Sequence, residues 1–428
     1  MKKRNAIVAQ SGGPSPVINS SLLGVIDGCR DYPDRIGRLY AAWHGVEGIL
    51  SEELIDLSQQ DPRELELLRT TTSAGAIGTC RYKLKAEQTE DFERIVAVMQ
   101  AHDVGYFFYI GGNDSMDTAQ KVADLARRKN VELVCTGVPK TIDNDVGDER
   151  FTLIDHTPGY GSAARYWACI TRDVDEENRG MSPSESVSVL QAMGRKAGFI
   201  PAAARLADPH REMPLQLYLV EGGHNLETMA ENVNRQLQKS GRCVVVVSEG
   251  FDVGSLGEKH DGFGHVEYGA SQATVAQVVV NYLNRVGLNS RGYATGQVPG
   301  VLQRSTSIHA SPVDIREAHE VGRHAVEVGV RDGTGWMATI LRRPGDTYRA
   351  YYDKVELGRV AASARQVPRH WLSPDGLDVT DDFLRYARPL IGEEWAPVPL
   401  ENGVPRFARL KAAFIDRRLP GYVPQKYR

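Results

Sequence analysis

Short apolar runs alternate with longer segments of helical periodicity over most of the chain, up to about residue 290. The runs at residues 6–9, 106–110, 187–191 and 243–248 are mostly apolar, and each leads into a turn that contains glycine. Runs of this kind are typical of parallel strands that lie buried between two layers of helices. The repeated order of strand, glycine turn and helix therefore predicts an α/β fold whose sites lie at the carboxyl ends of the strands.

This pattern divides into two halves. We predict two Rossmann-like, three-layer α/β/α halves with mainly parallel sheets and an active site in the cleft between them. The first half covers residues 1–155 and the second covers residues 156–305, while residues 306–428 supply elements that complete the first half. Further strands are predicted at residues 131–136 and 215–220, and helices at 19–29, 116–129, 202–206, 315–328 and in a segment that ends near residue 238.

Charge and cysteine content exclude several classes of function. The 51 lysine and arginine residues against 55 aspartate and glutamate residues leave a net charge of −4, so we expect neither nucleic acid nor a membrane as a partner. Five cysteines lie far apart without a CxxC pair, which argues against a disulfide framework or structural zinc and favours a reducing compartment. The longest apolar stretches, at residues 106–110 and 244–247, are far shorter than a membrane span. We therefore expect a cytoplasmic protein.

Three glycine-bearing turns follow predicted strands in the first half. Their sequences are SGGP at residues 11–14, GGNDS at 111–115 and GVPKTIDND at 137–145. Glycine lets backbone N–H groups approach an anion closely, and the helix N-terminus that follows adds a favourable partial charge. One such turn is weak evidence, but three in one half indicate a phosphate or nucleotide site.

The third of these turns carries the most chemistry. Asp143 and Asp145 are two acids separated by one residue, with Lys140 and Thr141 just upstream. Capping of the next helix would explain one of these polar side chains, but it does not explain two acids together with a lysine and a threonine. A hydroxyl, a carboxylate base and a metal-binding acid are the groups that phosphoryl transfer requires.

GGNDS followed by PKTIDND closely resembles the phosphofructokinase family. Further motifs resemble the family in the same order: SGGP, TSAGAIGTCRY at residues 72–82, MGR at 193–195, SEG at 248–250 and PGVLQRS at 299–305. The resemblance runs through most of the chain. It implies that the first half binds the phosphoryl donor and the second half binds a sugar phosphate, fructose 6-phosphate.

The resemblance also implies roles for single residues. Asp143 would be the base that takes the proton from the sugar 1-hydroxyl, and Thr141 and Asp145 would hold the sugar and its neighbouring metal or hydroxyls. Arg81 and Lys140 would stabilise the moving phosphoryl group, and Gly13 would line its path. The residues that would bind fructose 6-phosphate are Met193, Gly194, Arg195, Glu249 and Arg304, the last on its phosphate, together with Arg291 from a neighbouring subunit. A borrowed arginine requires at least a dimer, so we expect a homodimer or homotetramer with sites near subunit interfaces.

Two residues predict the donor. Members of the family that use ATP resemble GGDG and PGTIDND at these turns, whereas here Asp114 and Lys140 stand where those members have glycine. A carboxylate at the first position would repel the α-phosphate of a nucleotide by about 4 kcal/mol at ~4 Å and an effective dielectric of 20. Lys140 supplies a compact cation for a free phosphate end. Both replacements resemble the pyrophosphate-dependent branch, which implies a transfer that runs in both directions.

Two departures from the family pattern bear on the metal and the acceptor. Asn113 stands where the family's first acid helps to hold Mg²⁺, so the metal would be bound by Asn113 through its carbonyl oxygen or by Asp114. Val301 stands where a His or Tyr commonly helps to bind the phosphate of the sugar. Sedoheptulose 7-phosphate is therefore an alternative acceptor.

The sequence is also compatible with other functions. An ATP-dependent phosphofructokinase that tolerates Asp114 is one of them. A lipid or NAD kinase with a GGDG-like turn is disfavoured, because MGR and PKTIDND have no role there. A sugar-phosphate-binding regulatory subunit that lost its metal through Asn113 is the non-enzyme alternative. The presence of Asp143, Thr141, Lys140 and Arg81 argues against it.

Overall fold

The computed structural model describes residues 2–254, 273–361 and 363–428. Its strands are β1 Arg4–Gln10, β2 Ile36–Ala42, β3 Leu54–Asp56, β4 Val104–Gly111, β5 Val134–Pro139, β6 Val187–Ala192, β7 Leu215–Tyr218, β8 Cys243–Ser248, β9 Ala294–Gln297, β10 Trp336–Arg342, β11 Ala350–Glu356, β12 Leu400–Glu401 and β13 Val404–Pro405. Its helices are α1 Ile18–Arg30, α2 Val46–Leu50, α3 Pro62–Leu67, α4 Thr89–Ala101, α5 Asn113–Arg128, α6 Tyr160–Met181, α7 Phe199–Ala202, α8 Leu226–Ser240, α9 Val275–Val286, α10 Pro312–Asp332, α11 Leu357–Ala361 and α12 Asp381–Ile391.

Two larger sheets organise these elements. The first has seven strands in the order β11-β10-β5-β4-β1-β2-β3, and the second has four in the order β7-β8-β6-β9. All pairings in the second sheet are parallel, and the central pairings of the first sheet, from β10 to β2, are parallel as well. The prediction of an α/β fold with mainly parallel sheets is confirmed.

The central strands are buried on both faces. Every residue of β4, β6 and β8 is buried, including the aromatic run from Tyr106 to Tyr109. Helices cover both faces of these strands, so the apolar runs that alternate with helical segments reflect removal of both faces from water.

Segments from the far end of the chain complete the first sheet. Strands β10 and β11 extend it beyond β5, and α10 packs against α1. The two helices approach closely at glycines: a methyl group at Gly24 would lie 2.0 Å from the carbonyl oxygen of His319, and one at Gly322 would lie 2.3 Å from that of Ser21. Helix α12 packs instead beside α6, in the core next to the second sheet.

The predicted element boundaries differ from the observed ones in places that have a local explanation. The strand predicted at residues 131–136 is observed at Val134–Pro139. Val131 is instead held by the turn that ends α5: Asn130 adopts a φ of 55°, and the N–H of Val131 donates to the carbonyl of Ala126. Among the helices that the structure describes, none has the length and apolar character needed to cross a membrane.

Candidate active site

The three glycine-bearing turns begin side by side at one edge of the first sheet. Strands β1, β4 and β5 are parallel neighbours, with Gln10 paired to Ile110 and Gly111 paired to Pro139. The N–H of Lys140 donates to the carbonyl of Gly111 at 3.0 Å and so joins two of the turns directly. Because the carboxyl ends of parallel strands meet at one edge, three motifs distant in sequence form one site.

Three cationic side chains surround Gly13. Nζ of Lys140 donates to the carbonyl oxygen of Gly13 at 2.6 Å. A methyl group added at Gly13 would lie 2.4 Å from Nη1 of Arg304 and 3.7 Å from Nη2 of Arg81. A methyl group at Gly13 would therefore displace the end of the Arg304 side chain. The three cations together form a site suited to a phosphate group.

The segment that carries Arg81 is attached to the first glycine turn. The N–H of Gly12 donates to the carbonyl of Cys80 at 2.9 Å, which places Arg81 beside the turn. Two residues later, Nζ of Lys83 lies 2.8 Å from Oδ1 of Asp114. The carboxylate predicted to exclude nucleotides is thus held by a lysine that the motifs did not single out.

Lys140 is buried, with 4% of its surface exposed. Burial, together with repulsion from Arg304, lowers the pKa of Lys140 to about 7, while Asp143 acts in the opposite direction. A bound phosphate would favour the charged ammonium, because a nearby opposite charge raises the pKa of a lysine. Binding of an anion beside Lys140 and protonation of Lys140 would therefore be linked.

The turn at residues 140–145, for which the sequence predicts a catalytic role and which we call the catalytic turn, carries its two acids on either side of a residue with a left-handed backbone. Asn144 has a φ of 57°, which asparagine tolerates better than most residues. The N–H of Asp143 donates to Oγ1 of Thr141 at 3.1 Å. Burial, followed by repulsion from Asp143, raises the pKa of Asp145. Carboxylates whose pKa values are shifted in this way are typical of sites that hold or transfer protons.

The second sheet contributes the opposite wall. Ser248 donates through Oγ to the carbonyl of Gly194 at 2.6 Å, which joins the turns after β6 and β8. Nε of Arg195 lies 3.8 Å from Oε1 of Glu249. Met193 begins the same turn, and Gly194 adopts a φ of 109°. The structure thus brings together the four residues predicted on these two turns.

Charges from the two halves interact across the cleft. Burial, followed by repulsion from Asp143, raises the pKa of Glu249 to about 7. Arg304 interacts with both acids and with Arg81: burial and then Arg81 lower its pKa, whereas Asp143 and Glu249 act in the opposite direction. Asp143 and Glu249, which follow strands of different sheets, therefore face one site.

Gln303 is a site residue that the motif analysis missed. Its Oε1 accepts hydrogen bonds from the N–H of Met193 at 3.0 Å and from Nε1 of Trp167 at 2.9 Å. Its own Nε2 donates to the carbonyl of Gly300. Gln303 therefore ties the short turn that carries Arg304 to the turn after β6. Its position beside Arg304 in the PGVLQRS motif was the signal that could have identified it.

Arg291 is not brought to this site in its own chain. It lies just before β9, at the amino ends of the strands, whereas Met193 and Glu249 follow the carboxyl ends. A methyl group on its neighbour Gly292 would lie 2.9 Å from the backbone nitrogen of Ser186, which precedes β6.

A metal site is only partly formed by protein groups. Nδ2 of Asn113 donates to the carbonyl of Ser363 at 2.6 Å, while its Oδ1 is buried without a hydrogen-bond partner. Asp114 is paired with Lys83. In the described residues, no group of three or more His, Cys, Asp or Glu side chains could hold a metal ion. An unpartnered amide oxygen beside one carboxylate fits a Mg²⁺ ion, which takes one or two protein ligands and completes its shell with water and phosphate.

Comparison with known proteins agrees with this geometry. Residues 5–329 match the family model described as Phosphofructokinase. The pyrophosphate–fructose 6-phosphate 1-phosphotransferase of Halomonas elongata is 38% identical over 99% of this chain and 100% of its own, and that of Methylococcus capsulatus is 37% identical over 98% and 99%. The crystal structure of a pyrophosphate-dependent phosphofructokinase from Marinobacter aquaeolei superimposes with a TM-score of 0.87 at 36% identity and covers 98% of this chain and 99% of that one.

The fold and the site together define a phosphotransferase. The chain belongs to the phosphofructokinase family. The resemblance inferred from the PKTIDND and MGR motifs is therefore confirmed.

Proposed function

We propose that this enzyme transfers a phosphoryl group from pyrophosphate to the 1-hydroxyl of fructose 6-phosphate, giving fructose 1,6-bisphosphate and phosphate, and that it works in both directions. The observation that carries the proposal is the set of three cations around Gly13, next to two turns in which Asp114 and Lys140 replace the glycines of ATP-using members. The names of the relatives from Halomonas elongata and Methylococcus capsulatus support it.

The chemistry follows from the groups around this cluster. Asp143 takes the proton of the 1-hydroxyl as the sugar oxygen forms its bond to phosphorus and the bridging P–O bond of pyrophosphate breaks. Lys140 and Arg81 stabilise the charge on the transferred group and on the departing phosphate. The backbone of Gly13 lets the phosphoryl group pass close to these cations. In the reverse direction Asp143 returns the proton to the sugar oxygen.

The sugar phosphate would be held from the other wall of the cleft. Met193, Gly194, Arg195 and Glu249 present the turns after β6 and β8 to it, and Thr141 and Asp145 contact it from the catalytic turn. Arg304 is proposed to bind its 6-phosphate. Because Arg304 reaches Gly13 here, the same guanidinium could also bind the transferred phosphate. Loss of a contact to the 6-phosphate would mainly raise KM, whereas loss of a contact to the transferred phosphate would mainly lower kcat.

Phosphoryl transfer in this family generally uses a divalent metal ion, which we propose is Mg²⁺. It would be bound by Asn113 through its unpartnered Oδ1 and by Asp114, with Asp114 released from Lys83. When bound, Mg²⁺ neutralises phosphate charge and orients the donor.

Acceptor choice has one alternative. Val301 is 57% exposed at the position where the family commonly places a phosphate-binding His or Tyr. This leaves room for a longer sugar phosphate such as sedoheptulose 7-phosphate.

We also propose a homodimer or homotetramer in the cytoplasm. Val301, Leu302, Ile308 and Trp395 each expose half or more of their surface, and the first two lie on the turn that carries Arg304. A second subunit on this surface would cover apolar area beside the site and could supply Arg291. Sedimentation velocity measures the assembly, and a monomer at micromolar concentration would contradict it.

All five cysteines are free, which suits a reducing compartment such as the cytoplasm.

The proposed function is tested by crossing two donors with two acceptors. Pyrophosphate and ATP are each assayed with fructose 6-phosphate and with sedoheptulose 7-phosphate, with Mg²⁺ and with EDTA, in wild type and in Asp143→Asn. We expect turnover with pyrophosphate and fructose 6-phosphate that needs both Mg²⁺ and Asp143. Turnover with ATP alone, or equal activity in Asp143→Asn, would contradict the proposal.

A further inference from the structure

The segment at residues 363–367 lies outside every motif that resembles the family, yet it contacts turns from both halves. The carbonyl of Ser363 accepts a hydrogen bond from Asn113 on the donor side. The N–H of Val367 donates to Oε1 of Glu221, on the turn after β7, at 3.0 Å. The segment thus passes behind the cleft from one wall to the other.

Arg365, in the middle of this segment, is 1% exposed and directs its side chain at the catalytic turn. Its Nε donates to the carbonyl of Asn144 at 3.0 Å, and its Nη2 donates to Oδ1 of the same residue at 2.9 Å. Its Nη1 donates to the carbonyl of Ile154 at 2.8 Å. The backbone N–H of Arg365 donates to the carbonyl of Asp145, also at 2.8 Å.

These bonds fix the residue on which the catalytic geometry depends. Asn144 separates Asp143 from Asp145, is fully buried and has a left-handed backbone. Its Nδ2 donates to the hydroxyl of Tyr386 at 2.8 Å, so both its side chain and its carbonyl are held. Rotation of Asn144 would move both acids, because each is joined to it by a peptide bond.

The charged guanidinium of Arg365 is buried among neutral hydrogen-bond acceptors. In the described part of the chain, its side-chain hydrogen bonds go to carbonyl and amide oxygens and none goes to a carboxylate. Its guanidinium lies 4.1 Å from the ring centroid of Phe151. A buried cation is costly unless it is compensated, and the charges that favour the cation here include the carboxylates of Asp155 and Asp145.

We propose that Arg365 is a positioning residue for phosphoryl transfer: it holds Asn144 so that Asp143 and Asp145 point into the cleft. Arg365 touches neither substrate and acts through the turn. This inference rests on the proposed function, because it concerns the geometry of that reaction.

The test compares Arg365→Lys and Arg365→Met with wild type. Lysine keeps the charge and can donate to one or two of the carbonyls, whereas methionine does neither. We expect kcat to fall in the order wild type, Arg365→Lys, Arg365→Met, with a loss of about a hundredfold in the last, since a displacement of about 1 Å can cost that much. The KM for fructose 6-phosphate should change far less than kcat, because most of the proposed sugar contacts, including Arg195, Glu249 and Arg304, lie outside the catalytic turn.

Arg165→Met is a matched control. Arg165 is also buried, donates to the carbonyls of Ile391 and Gly392, and lies 4.6 Å from the ring centroid of Trp395, but it does not contact the catalytic turn. Its kcat per folded molecule, corrected by circular dichroism, should stay within twofold of wild type. Equal kcat in Arg365→Lys and Arg365→Met, or an equal loss in Arg165→Met, would overturn the inference.

If Arg365→Met does not fold, Tyr386→Phe tests the second side-chain contact that holds Asn144. It removes one hydrogen bond to Asn144 without burying a new charge, and we expect kcat to fall severalfold with KM unchanged. An unchanged kcat in both Tyr386→Phe and Arg365→Lys would overturn the inference. Absence of pyrophosphate-dependent turnover in wild type would instead contradict the proposed function, so the two failures are distinguishable.

Discussion

Replacing the buried Lys140 by methionine should stabilise the free enzyme while destroying its use of pyrophosphate. Burial lowers the pKa of Lys140 from 10.5 to about 7, which corresponds at pH 7 to roughly 4 kcal/mol of unfavourable free energy relative to a neutral side chain. Loss of the hydrogen bond to the carbonyl of Gly13 offsets about 1–3 kcal/mol of this. A net stabilisation of about 2 kcal/mol is expected, since methionine has a similar length and no charge to bury.

The stability that Lys140→Met gains over wild type should decrease as pH rises. Between pH 7 and 10.5 the unfolded chain holds a proton on Lys140 that the folded chain has released, so the stability of wild type rises with pH in this window. Below pH 7 the lysine is charged in both the folded and the unfolded state, so the full free-energy cost of burying its charge applies. The advantage of Lys140→Met should therefore be largest at or below pH 7, shrink as pH rises and become a net loss of about 1–3 kcal/mol near pH 10.5, where only the lost hydrogen bond remains.

Thermal unfolding from pH 6.5 to 9.5 in buffers free of phosphate measures this difference. Lys121→Met serves as the control, because Lys121 is a partly exposed lysine on α5 paired with Asp117, and its loss should change the melting temperature little. Added pyrophosphate should raise the melting temperature of wild type and leave Lys140→Met unchanged. A variant less stable than wild type at pH 7, or a difference that does not vary with pH, would refute the reasoning.

Three further predictions concern catalysis. Asp143→Asn should lower kcat by about 10²–10⁴ with little change in KM for fructose 6-phosphate; steady-state kinetics that retain more than a tenth of kcat would assign the base elsewhere. Arg304→Ala should raise KM for the sugar phosphate far more than it lowers kcat, whereas a loss confined to kcat would place Arg304 on the transferred phosphate, near Gly13. Asp114→Gly should admit ATP weakly, measured as kcat/KM for both donors, because it removes the carboxylate that Lys83 holds; undetectable ATP use with normal pyrophosphate use would contradict that role.

Local sequence was sufficient for much of the architecture and for the chemical class of the site. Runs such as 243–248 are apolar on both faces. They form buried strands because only a position between two helix layers removes both faces from water. The glycine turns follow these strands directly, so the parallel arrangement alone predicts that residues 11–14, 111–115 and 137–145 meet at one edge. These inferences need only neighbours in sequence and the geometry of a parallel sheet.

Contacts between distant segments could not be obtained in this way. Arg304 reaches Gly13, Gln303 joins Met193, and Arg365 anchors Asn144. These pairs are separated by about one hundred to three hundred residues, and nothing in the spacing of apolar and polar positions near Arg365 distinguishes it from an exposed arginine in a loop. Its burial depends on how the C-terminal segments pack behind both sheets. The residues that we propose to carry the reaction lie in motifs, whereas the residues that hold them in place are set by packing between segments that no local pattern connects.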